Sequence, residues 1–144
     1  MSLFDNTKIL IDSWKPKKQD RKELEFSDDC YHFLKDNLPK AQVTRDDKNN
    51  KKGLDIGLRY ETMYGVESVG IEFKRNLDST NERNRLIGQI ETKGKQYQDI
   101  IIVLVGESNN NMVVDLKNWI SGKKDKFTGF SAKRYVIKIK GKLN

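Results

Sequence analysis

Two acidic residues and a lysine stand out for where strand alternation places them. In Gly53 to Tyr60, Leu54, Ile56 and Leu58 fall on one side of an extended chain, and Asp55, Gly57 and Arg59 on the other. From Val69 to Lys74, Val69, Ile71 and Phe73 share one face, with Gly70, Glu72 and Lys74 opposite. Pairing the two runs as an antiparallel hairpin, with Tyr60 against Glu67 and a loop over Glu61 to Val66, sets Asp55 across from Glu72. Directly opposed side chains have Cβ atoms about 4.5–5.5 Å apart, and two like charges there destabilise a sheet unless something neutralises them. A divalent cation does so. Mg²⁺ takes hard oxygen ligands, usually one or two carboxylates completed by water and substrate phosphate. Lys74 shares the face, so its ammonium can meet a phosphate oxygen. Together the three groups suit phosphodiester hydrolysis, with Asp55 and Glu72 as metal ligands and Lys74 as the charge stabiliser.

The surrounding chain predicts the elements that hold these residues. Apolar residues at Phe26, Cys30, Phe33, Leu34 and Leu38 recur at helical steps, so a helix is expected from about 21 to 37, closed by Pro39. A short strand follows over 40–44, then a polar loop over 45–52. Ser79 and Glu82 form a capping box, so another helix begins near 80, with Leu86, Ile87, Ile90 and Tyr97 toward the core. Ile100 to Val105 is an almost pure β-branched run, as in a strand buried on both faces. Met112, Leu116, Trp119 and Ile120 mark a further helix ending at Gly122, a basic loop covers 123–133, and the last strand covers 134–140. There Lys138 and Lys140 guard an exposed sheet edge. The result is an α/β domain with a mixed sheet flanked by helices.

Composition narrows the function classes. The chain has 144 residues, enough for one domain over 1–144, with 1–20 read as an N-terminal arm. It carries 28 Lys and Arg against 21 Asp and Glu, a formal charge of +7, which suits an anionic polymer as partner. No apolar run approaches the roughly 20 residues of a membrane span. Cys30 is the only cysteine and His32 the only histidine, so an internal disulfide and a Cys/His zinc cluster are both excluded. Cysteine usage points to a reducing, cytoplasmic compartment.

Asp55 followed by Glu72-Phe73-Lys74 on adjacent strands resembles the PD-(D/E)XK nuclease superfamily, and the resemblance is carried mainly by 53–106. It implies a restriction-endonuclease-like fold, Mg²⁺ (with Mn²⁺ able to substitute), and catalytic roles for Asp55, Glu72 and Lys74. It also implies an acid on the preceding helix. Glu23, Glu25 and Asp29 are the candidates, and Glu25, beside Phe26 and spaced as in archaeal Holliday-junction resolvases, is preferred. The stretch GIEFKRNLDSTNERNRLIGQIE is also similar to stand-alone restriction-endonuclease-like proteins of microbes and their mobile elements. Two departures stand out. Leu54 occupies the place of the motif proline. Gln89 is followed by Lys93 where RecB-like members carry tyrosine, with Tyr97 a turn further on.

The expected activity is a Mg²⁺-dependent DNA endonuclease, restriction-like or structure-specific and acting as a homodimer. A Holliday-junction resolvase and a non-catalytic nucleic-acid-binding protein are the alternatives. Arg75, Arg85, Gln89 and Lys93 are the expected DNA contacts, with Lys51 and Lys52 on the polar loop.

Overall fold

The computed structural model describes residues 1–17, 22–46, 53–125 and 133–144. Helices α1 (Leu3–Ser13) and α2 (Glu23–Asn37) precede three strands, β1 (Gln42–Arg45), β2 (Ile56–Thr62) and β3 (Gly65–Arg75). Helix α3 (Thr80–Lys93) runs into a 3₁₀ turn at Gly94–Gln96, then β4 (Asp99–Val105) and β5 (Glu107–Ser108). Helix α4 (Asn110–Asp125), β6 (Arg134–Ile139) and β7 (Lys142–Leu143) complete the order. The main sheet runs β1-β2-β3-β4-β6, antiparallel from β1 to β3 and parallel from β3 to β6. It is therefore mixed, as expected. A second, two-stranded sheet pairs β5 with β7.

Period-two alternation sends side chains to two cores. On one face Ile56, Leu58, Val69, Ile71, Phe73, Ile101 and Val103 pack against α1 and α2. On the other Ile100, Ile102 and Leu104 meet Leu86 and Ile90 of α3 and Val113, Leu116 and Ile120 of α4. Strand β4 is buried along its whole length, which is why it reads as an unbroken apolar run. Helix α3 begins where its capping box predicts, with Ser79 Oγ accepting the Glu82 N–H at 3.2 Å.

The hairpin holds the expected register, with Tyr60 opposite Glu67 and Ile56 opposite Ile71. Its loop is shorter than expected. Pairing continues to Thr62 and Gly65, leaving Met63 and Tyr64 as the turn, and Gly65 takes φ +139°, a conformation that favours glycine. Helix α4 passes through Gly122 instead of ending there; a glycine inside a helix costs only about 1 kcal/mol.

Two expectations need correction. Leu54 does not share the face of Ile56 and Leu58. It packs with Leu86 and Tyr97 in the opposite core, because the chain bends at Asp55 before β2 begins. Much of the segment read as an N-terminal arm is α1. Leu3, Phe4, Ile11 and Trp14 are buried in the first core, and the Trp14 ring sits edge-on to Phe73 at 6.1 Å. Helix α1 also begins with a cap, Ser2 Oγ accepting the Asp5 N–H at 3.1 Å.

Because Ile11 is fully buried, Ile11→Ala should cost about 2–5 kcal/mol. Urea unfolding would register this as a lower midpoint at unchanged slope. A loss below about 0.5 kcal/mol would mark α1 as peripheral.

Candidate active site

The bend at Asp55 turns its carboxylate across the end of the hairpin onto Glu72. The Asp55 N–H donates to Glu72 Oε1 at 3.1 Å, and the Phe73 N–H donates to Asp55 Oδ2 at 2.8 Å. These two bonds draw the carboxyls together, so each bears on the other's charge. Glu72 is only 5% exposed. Burial pushes its carboxyl up to about 9, and the neighbouring Asp55 charge adds to the rise. Burial also raises Asp55, with a further push from Glu23 and Asp46. Burial and negative neighbours thus hold both carboxyls toward the neutral form.

An aromatic ring holds the bend. Tyr97 lies over Gly57 and Gly70, where a Cβ on Gly70 would come within 2.5 Å of the ring. Its hydroxyl accepts the Leu54 N–H at 3.2 Å. Gly53 gives that hydroxyl room, since a Cβ there would collide with it. Tyr97 therefore fixes the residue just before Asp55 and keeps this part of the sheet free of competing side chains.

The pair lies in a cleft of about 540 Å³. Lys22, Glu23, Leu24 and Ser27 line it from the start of α2, Asp46 from the end of β1, and Gln89 and Lys93 from α3. Lys93 is the cation whose charge is felt at Glu72. The stripe on α3 thus divides. Gln89 and Lys93 reach the cleft, while Arg85 is exposed nearer the helix start and does not line it. Arg75 is exposed beside a neighbouring polar cavity with Asn76, Asp78 and Asn109. Lys51 and Lys52 lie outside the described residues.

The helix acid that meets the cleft is Glu23. Glu25 reaches back instead, its Oε1 accepting the Lys22 N–H at 3.1 Å to cap α2. Glu23 Oε1 accepts the Arg75 N–H at 3.0 Å and lies 3.5 Å from Lys74 Nζ. Asp29 accepts the Lys17 N–H at 3.0 Å, away from the cleft lining. Lys74 itself is ion-paired to Glu82 at 2.9 Å and is not among the cleft-lining residues. Asp46 escaped the sequence reading because it sits at the edge of a polar loop; its backbone N–H donates to the Asp55 carbonyl at 3.1 Å.

Among the described residues no three of His, Cys, Asp and Glu gather as a metal-binding group. The donor set at the pair is two carboxylates, a number and type that fit Mg²⁺ or Mn²⁺ with water filling the rest of the shell. Comparisons with family models, with curated proteins and with solved structures return no match. Among the described residues no helix is long and apolar enough to cross a membrane.

The raised carboxyls set a pH dependence. Glu72 holds its proton to about 9 in the folded chain, against about 4.3 in an unfolded one. The unfolded chain therefore releases the proton first. The contribution of this group is complete below about pH 4 and is lost as pH rises toward 9. In chelator, Glu72→Gln should flatten the fall in Tm between about pH 6 and pH 9, and Mg²⁺ should raise the wild-type Tm more at the upper pH. Parallel Tm profiles for the two proteins would contradict this account.

Proposed function

We propose that this chain is a divalent-metal-dependent DNA endonuclease of the PD-(D/E)XK type, with a restriction-endonuclease-like fold. The observation that carries the reading is the Asp55–Glu72 pairing: the Asp55 N–H on Glu72 Oε1 and the Phe73 N–H on Asp55 Oδ2 bring two buried carboxyls together at a cleft that Lys93 also lines. Mg²⁺ bound there supplies a Lewis acid that polarises the phosphate and activates water.

The chain's own groups do the rest. Asp55 and Glu72 would hold the metal through their carboxylate oxygens once Glu72 gives up its proton to solvent. Glu23 and Asp46 add negative charge at the rim. Lys93 Nζ offers donors to a non-bridging phosphate oxygen, and the Gln89 amide on the same wall can orient the strand. Lys74, once parted from Glu82, would supply a second ammonium to the charge that develops on the phosphate oxygens. In the reaction, a water gives up a proton to solvent as its oxygen bonds to phosphorus, one ester P–O bond breaks, and the leaving oxygen takes a proton from solvent. The excess charge of +7 favours a polyanionic substrate. Two copies of the chain acting together would cut both strands of a duplex.

Purified protein with Mg²⁺ or Mn²⁺ is expected to cleave DNA, and Asp55→Asn, Glu72→Gln and Lys74→Ala each to lose at least about 100-fold in rate. Duplex, single-stranded and four-way-junction substrates run side by side define the preference, and selective junction cleavage would make the enzyme a resolvase. No cleavage of any of the three by folded protein would overturn the enzyme reading and favour a binding protein.

A further inference from the structure

Lys74 stands apart from the pair it is expected to serve. Its Nζ lies 2.9 Å from Glu82 Oε2 and 3.5 Å from Glu23 Oε1, so one ammonium bridges α3 and α2 across the end of β3. Both acids are anchored by backbone. Glu82 sits in the first turn of α3 under the Ser79 cap, and Glu23 receives the Arg75 N–H. The Lys74 and Glu82 side chains are 22% and 32% exposed, so water screens the contact only partly. Lys93 already lines the cleft and needs no release.

We propose that Glu82 is a positioning residue that holds Lys74 away from the Asp55–Glu72 pair until a nucleic-acid phosphate replaces Glu82 as its partner. The proposal rests on the nuclease reading for the identity of that anion. A lysine ammonium has three donors on a flexible four-carbon stem, so exchanging one anionic partner for another needs no backbone movement. A phosphate in the cleft finds Lys93 in place and gains Lys74 only by displacing a carboxylate. The ion pair thus opposes binding by as much as it stabilises the free protein, and its removal should tighten binding. A purely structural tie between β3 and α3 makes no such demand.

The test is a double-mutant cycle on DNA affinity. Fluorescence anisotropy with a labelled duplex, in Ca²⁺ and with the oligonucleotide verified intact, compares wild type, Glu82→Gln, Lys74→Ala and the double variant. Glu82→Gln should lower Kd about two- to five-fold, the range expected of a partly exposed ion pair. In the Lys74→Ala background the same substitution should change Kd by less than about 1.5-fold. Equal tightening in both backgrounds would reduce Glu82 to a repelling charge and overturn the proposal, as would weaker binding or no DNA binding at all. Should Glu82→Gln fail to fold, Glu82→Asp, which withdraws the carboxylate by one methylene, takes its place in the cycle under the same criteria. Coupling without Mg²⁺-dependent cleavage would keep the positioning role and remove the nuclease reading. Cleavage without coupling would do the reverse.

Discussion

Two carboxyls in contact, with too little water around them to remain charged together, are the constraint on which this site depends. At about 4 Å, two like charges repel by roughly 4 kcal/mol at an effective dielectric of 20, well above the net worth of an ordinary hydrogen bond. Asp55 and Glu72 escape this cost because burial, reinforced by the Asp55 charge, keeps Glu72 protonated to about pH 9. On the metal reading proposed above, that state is a placeholder. A proton satisfies one oxygen, whereas a divalent cation would satisfy both carboxylates and repay the burial of Glu72, which is otherwise a liability to the fold.

The fold supplies this contact through a single local irregularity. A β2 strand extended regularly to Leu54 would keep Leu54 on the face of Ile56 and Leu58. The chain instead bends at Asp55, Leu54 crosses to the α3 side, and the Asp55 carboxylate caps the Phe73 N–H. Tyr97 makes the bend possible by filling the space over Gly57 and Gly70 and accepting the Leu54 N–H. Glycines at 53, 57 and 70 are thus part of the site's architecture although none offers a ligand. The helices complete it from both sides. The start of α2 brings Glu23, and α3 brings Gln89 and Lys93.

The hairpin register was legible because alternation leaves little choice: a one-residue slip would turn Ile56, Ile71 and Phe73 out of their core. The α3 cap and the buried β4 were legible for similarly local reasons. Helix α1 was missed because Leu3, Phe4, Ile11 and Trp14 are spread thinly among polar residues, although Ser2 and Asp5 mark its start. The bend at Asp55 has no local signature; it goes with Tyr97, far along the chain, and only tertiary contact reveals it. The same limit explains the helix acid. Both Glu23 and Glu25 lie in the first turn of α2, and backbone capping, not periodicity, withdraws Glu25 and leaves Glu23 at the cleft. The contact of Lys74 with Glu82 was likewise invisible, since each residue looked correctly placed on its own element.

The central claim is that Asp55 and Glu72 together hold a divalent cation, and it can be tested without any assay of catalysis. Titration of the chelator-stripped protein with Mn²⁺ at about pH 8, followed by the electron paramagnetic resonance signal of the free ion, counts bound metal directly. The account predicts saturable binding near one ion per chain that is weakened at least about ten-fold by Asp55→Asn and by Glu72→Gln. Mn²⁺ that stays free, or binds the two variants as tightly as the wild type, would contradict it.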